Sequence, residues 1–128
     1  MISALLSRRG SPAEVVRRWL EGHYELIVSP KLLDEFARAA AYPKLRKHLT
    51  KPDADEFLDV LRGAADLRAD PNSPPAVPSA DPGDDYLISL AQAAQAVVVT
   101  GDRPLLDMKS VVPAYTPAEL LELLDRET

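Results

Sequence analysis

The sequence predicts an α/β domain with a parallel sheet covered by helices on both faces. Three observations predict it. Short apolar runs rich in β-formers alternate with helical stripes along the chain, as at Tyr24–Val28 followed by Leu32, Leu33 and Phe36. The strand Ala96–Thr100, with Val97, Val98 and Val99 in a row, is apolar throughout rather than alternating, as strands buried on both faces are. The 128 residues suit one domain, residues 1–128, with no internal repeat.

The elements follow in order. Ile2–Leu6 reads as the end of a helix, cut short by Arg8-Arg9-Gly10. Ser11-Pro12-Ala13-Glu14 opens the next helix, with Ser11 as cap and Glu14 completing a capping box. Val15, Val16, Trp19 and Leu20 continue it at helical spacing, and Gly22 ends it. Tyr24–Val28 is a strand bounded by turn signals. Ser29-Pro30 opens a helix whose apolar stripe is Leu32, Leu33, Phe36 and Ala40, and Tyr42-Pro43 stops it. Lys44–His48 reads as a basic helical segment. Thr50-Lys51-Pro52-Asp53 starts a further helix with Phe57, Leu58 and Leu61 inward. Leu67–Ala69 is a short strand.

Asp70–Pro82 holds five prolines in thirteen residues, which forbids a helix and predicts a surface loop. Asp84 begins a helix with Leu87, Leu90, Ala91 and Ala94 on one face. The strand Ala96–Thr100 follows, then a helix start at Arg103-Pro104. Val111-Val112 is a minimal strand. Thr116-Pro117-Ala118-Glu119 is another capping box, opening a last helix with Leu120, Leu121 and Leu124.

Composition narrows the function. With 46% apolar and 27% charged residues, the profile is that of a soluble globular domain. No run of about 18 apolar residues predicts a membrane span. The opening MISALLSRRG is too short for a secretory signal and carries its arginines on the wrong side. The lack of cysteine excludes disulfides and thiolate metal sites, and fits a cytoplasmic protein. A net charge of −5 argues against a general electrostatic grip on nucleic acid. Such binding would need a local basic patch or metal ions offsetting local acids. His23 and His48 have no metal-ligand spacing.

Three acids fall where an open parallel sheet binds ligands, at the carboxyl ends of its strands. Asp102 follows the strand 96–100. Asp84 begins its helix on the face of Leu87 and Ala91. Glu35 borders the buried stripe of a helix that directly follows a strand. Each also has an ordinary structural reading: Asp102 as a helix cap, Asp84 as a first-turn acid on the helix dipole, Glu35 as a solvated edge residue. Converging, the three repel one another, and such a cluster calls for a cation or raised pKa values. Hard oxygen donors without His or Cys suit Mg²⁺ or Mn²⁺, ions that activate water for phosphoryl chemistry.

These residues resemble those of the PIN-domain family. Ile27-Val28-Ser29-Pro30 followed by Leu32-Leu33-Asp34-Glu35-Phe36 is similar to its second strand–helix junction. Asp81-Pro82-Gly83-Asp84-Asp85-Tyr86-Leu87 with Ala91 resembles its third acidic motif, and Val99-Thr100-Gly101-Asp102 its fourth. Tyr115-Thr116-Pro117-Ala118-Glu119-Leu120-Leu121 resembles the ending of one branch, the VapC-like toxins of toxin–antitoxin systems. The resemblance implies a Mg²⁺- or Mn²⁺-dependent ribonuclease, homodimeric and neutralised by an antitoxin protein. It carries the metal-binding roles to Glu35, Asp84 and Asp102, with Thr100 and Asp85 auxiliary. RNA contacts fall to Arg103, beside the presumed site, and to Arg8 and Arg9.

One part of the pattern departs. PIN domains begin with an apolar strand ending in Asp-Thr-Asn, whose Asp is the central metal ligand. Met1–Ser7 resembles instead the helix just after that motif, so the first strand and its Asp are expected to be missing. Two readings stay open: the ligand set is completed by residues upstream of Met1, or the chain is a shortened homologue that binds a partner and does not cut RNA. A small-molecule α/β domain is a third, disfavoured by the absence of a glycine-rich phosphate loop.

Overall fold

A computed structural model describes residues 1–7, 13–41, 50–79 and 81–127. Its centre is an all-parallel five-stranded sheet flanked by helices, the three-layer α/β/α arrangement that the alternating pattern predicts. The strands are β1 (Ser3–Leu6), β2 (Glu25–Val28), β3 (Asp66–Leu67), β4 (Val97–Val99) and β5 (Ala114–Tyr115), in the spatial order β3-β2-β1-β4-β5. The helices are α1 (Ala13–Leu20), α2 (Pro30–Ala40), α3 (Lys51–Ala64), α4 (Asp85–Ala94), α5 (Arg103–Leu106) and α6 (Pro117–Glu127).

The reading of Ile2–Leu6 as a helix end is corrected by β1. This segment takes the central position of the sheet. Ala4 pairs with Leu26 on one side and Val97 on the other, and Leu5 and Leu6 pair with Val98 and Val99. Ala4, Leu5 and Leu6 are all buried, so neither face of the segment is polar. A short, wholly apolar run has no period to separate strand from helix, and the two neighbouring ladders decide it.

The minimal strand expected at Val111-Val112 is also corrected, to Ala114–Tyr115. The N–H groups of Val111 and Val112 both turn back to the Met108 carbonyl, at 2.8 and 3.0 Å. Pro113 has no N–H to give, but its carbonyl accepts from Val98 N at 2.8 Å and starts the ladder one residue before β5. The short strand at Leu67–Ala69 forms one residue earlier, as β3, and Arg68 N extends it onto Val28 O at 2.8 Å.

The helix starts have the expected chemistry. Ser29 Oγ accepts from Leu32 N at 3.2 Å, and Thr50 Oγ1 accepts from Asp53 N at 3.2 Å. At Thr116 the capping box closes both ways: Thr116 N donates to Glu119 Oε1 at 2.9 Å, and Glu119 N to Thr116 Oγ1 at 3.1 Å. Gly22, at φ +84°, takes the left-handed turn that ends α1. The cap expected at Ser11 and the basic segment Lys44–His48 lie outside the described residues.

Packing joins the helices in pairs. Phe36 of α2 meets Phe57 of α3 edge to face, with ring centroids 6.3 Å apart. Arg18 of α1, nearly buried, donates through Nε to His23 Nδ1 at 2.5 Å and pairs with Asp125 of α6 at 3.0 Å. Trp19 lies in the core. Contacts that tie the proline-rich loop down include Asp70 Oδ2 accepting from Lys31 N at 3.0 Å, Ser89 Oγ donating to Ser73 O at 3.2 Å, and Ser79 N donating to Asp85 Oδ1 at 2.8 Å. Among the described residues, no helix is long and apolar enough to cross a membrane.

Candidate functional site

The strand order fixes where a ligand can sit. From β1 the chain steps outward through β2 to β3, then returns to the other side of β1 for β4 and β5. The connections leaving β1 and β4 therefore diverge, and a crevice opens outside their carboxyl ends. Ser7 ends β1 there, and Thr100, Gly101 and Asp102 follow β4.

Two hydroxyls close the floor of this crevice. Ser7 is 3% exposed and Thr100 fully buried. Ser7 Oγ donates to Thr100 Oγ1 at 2.9 Å, and Thr100 Oγ1 also accepts from Asp102 N at 3.0 Å. The second bond turns the chain sharply after β4 and presents Asp102, half-buried, at the edge. Asp102 stands at the N-cap position of α5, yet its side chain makes no capping bond. Asp84 likewise stands at the N-cap of α4 without capping it.

The second part of the site lies around Tyr86. The residue is 9% exposed, and its hydroxyl is buried without completing a hydrogen bond. Burial raises the phenol pKa first, the Glu35 carboxylate acting on the hydroxyl raises it next, and the charges of Asp84 and Asp70 raise it further. The hydroxyl thus stays protonated, a neutral donor among acids. Asp70 Oδ1 is also buried and unbonded. Lys31 Nζ lies 4.7 Å from the centre of the Tyr86 ring and brings a positive charge to the same place.

The acids singled out in the sequence are thus distributed as follows. Glu35 and Asp84 are both half-buried and both act on Tyr86, so α2 and the start of α4 bring them to one region. Asp102 lies at the end of β4. Asp85 is engaged elsewhere, accepting from Ser79 N at 2.8 Å and Ser79 Oγ at 2.9 Å, so its carboxylate clasps the proline-rich loop. Arg103 is exposed and pairs with Asp107 at 3.3 Å. Arg8 and Arg9 lie outside the described residues. Ser7, Lys31, Asp70 and Tyr86 were not singled out from sequence. The available signal was Tyr86 itself, a phenol on the buried face of a helix two residues after an acid.

The donor chemistry, carboxylates with hydroxyls, is that of a Mg²⁺ or Mn²⁺ site. The spacing is not. Among the described residues no three acids or histidines come close enough to share one ion. At the end of the central strand stands a serine, its hydroxyl already committed to Thr100.

The chain belongs to the PIN domain family, which matches residues 1–104. The uncharacterized protein MJ1680 of Methanocaldococcus jannaschii is 28% identical over 110 residues, 84% of this chain and 69% of that one. A PilT N-terminus domain protein, SSO1118 of Sulfolobus solfataricus P2, superposes with a TM-score of 0.61 at 16% identity, covering 96% of this chain and 93% of its own. FitAcB from Neisseria gonorrhoeae gives a TM-score of 0.51 at 17% identity, covering 90% and 98%. At those identities the two structures speak for the fold alone.

Proposed function

We propose that this chain is a PIN-type endoribonuclease, the toxin component of a toxin–antitoxin pair. The observation that carries this reading is the PIN-family match over residues 1–104, supported by Asp102 directly after the turn that ends β4 and by Glu35 and Asp84 near one buried phenol, Tyr86. In this reading Mg²⁺ or Mn²⁺ is the cofactor and those three acids are its ligands, with Thr100 and Asp85 in support. Among the described residues no three of them are gathered on one ion. What the chain's own residues supply is a polar crevice, a buried neutral donor in Tyr86, and Arg103 beside Asp102 for a backbone phosphate. Arg8 and Arg9 are further RNA contacts in this reading. Its partners are RNA, an antitoxin protein and a second copy of the chain, in the cytoplasm.

A second reading is favoured by one observation, the Ser7–Thr100 hydrogen bond where an acid would complete the ligand set. Here the chain is a non-catalytic PIN homologue that binds an antitoxin or a full-length subunit. Titration calorimetry with Mn²⁺, run beside an RNA cleavage assay, separates the two. Metal binding together with cleavage that stops on adding chelator supports the ribonuclease. Absence of both, with a stoichiometric protein complex, supports the binding partner.

A further inference from the structure

We infer that the hollow between α5 and the first turn of α6 is a subsite for a backbone phosphate of bound single-stranded RNA. The inference rests on the ribonuclease reading and deepens it. The hollow has a volume of about 260 Å³ and is lined by Arg103, Leu106, Asp107, Lys109, Thr116 and Glu119. Arg103 comes directly after Asp102 at the end of β4, and Thr116 directly after the end of β5. β4 and β5 are neighbours in the sheet, roughly 4.8 Å apart as paired strands are. A strand of RNA lying across the β1–β4 crevice and continuing outward therefore meets this hollow next.

Its chemistry is that of a phosphate site. A guanidinium, an ammonium and a hydroxyl line one concave surface. Lys109 Nζ lies 5.7 Å from the centre of the Tyr115 ring. Both cations already hold exposed carboxylates, Arg103 on Asp107 at 3.3 Å and Lys109 on Glu119 at 3.2 Å. Ion pairs this exposed exchange partners with little loss. The two carboxylates leave the hollow with no net charge, so a small free anion gains little there. A phosphate delivered by a strand already held at the crevice gains both cations. All the lining residues except Arg103 fall beyond residue 104, where the family match ends. The subsite is therefore a property of this chain's carboxyl-terminal part.

The test is fluorescence anisotropy of a labelled single-stranded RNA, titrated with salt in the presence of Mg²⁺. Every chain carries Asp102→Asn so that no cleavage intervenes. Adding Arg103→Ala or Lys109→Ala should lower the slope of log affinity against log salt by about 0.7 each, or about fivefold in affinity at 0.1 M salt. Asp107→Asn, which frees Arg103, should tighten binding, an opposite sign that loss of structure does not give. Inorganic phosphate should compete no better than its ionic strength explains. If the parent binds RNA and these variants bind it equally well, the subsite is wrong and the ribonuclease reading stands. If the parent binds no RNA, the ribonuclease reading fails and the subsite fails with it.

Discussion

Ser7 donates to Thr100 Oγ1 at 2.9 Å across the ends of the two central strands, and both residues are buried. This bond joins β1 to β4 beyond their last ladder contact, Ser7 N to Val99 O at 2.9 Å. It also sets Thr100 Oγ1 to receive Asp102 N, so one serine hydroxyl helps to orient the turn that carries an acid. Replacing Ser7 with Ala removes its bond to Thr100 and leaves Thr100 Oγ1 with its other donor. The expected loss is about 1 kcal/mol in urea denaturation. A loss above about 3 kcal/mol would mean that the serine holds more than this bond.

Tyr86→Phe keeps the ring against its neighbours and removes only the buried, unbonded hydroxyl. Such a group carries a desolvation cost without a compensating bond, so stability should stay level or rise by about 1 kcal/mol. Denaturant midpoints of the two proteins measure this. A marked loss would show that the phenol donates to Glu35 in solution.

Leu5 is fully buried in the central strand, with Val98 opposite in β4. Leu5→Ala should cost about 2–5 kcal/mol, through lost burial and the cavity left behind. Leu67, exposed on the edge strand β3, should change by less than about 0.5 kcal/mol on the same substitution. Equal losses at the two sites would contradict the placement of Ile2–Leu6 at the centre of the sheet.

The capping box of α6 predicts a pH dependence. The Thr116 N–H on its carboxylate, then Lys109, then the Thr116 hydroxyl hold the Glu119 pKa below the ordinary 4.5. A carboxyl whose folded pKa is depressed binds fewer protons folded than unfolded around that pH. Its contribution is therefore complete above 4.5 and is lost as pH falls through the lower folded value. Thermal melts of Glu119→Gln and the parent should differ near neutral pH and converge in acid. A constant gap across the acid range would rule out this linkage.

Much of the fold was legible because the sequence marks its elements redundantly. Ser29-Pro30 and Thr116-Pro117-Ala118-Glu119 carry capping chemistry as well as an apolar stripe, and both formed as read. β1 was not legible, because Ala4-Leu5-Leu6 has no polar position and its state depends on partners 22 and 93 residues away. β5 was misplaced because Val111-Val112 has stronger β preference than Ala114-Tyr115, and Pro113 decides which pair can join the ladder. At the site, helix position brought Glu35 and Asp84 to one region. No local pattern shows that Ser79 takes Asp85 away, or that Tyr86 stands among three acids.

Cleavage of single-stranded RNA, followed over time for the parent chain and Asp102→Asn with Mn²⁺ present, tests the ribonuclease reading head on. The parent should cut, chelator should abolish the cutting, and Asp102→Asn should reduce it by about a hundredfold or more, on the order of what loss of an electrostatic catalytic group costs. Cutting that survives chelator, or that is the same in both chains, would contradict that reading.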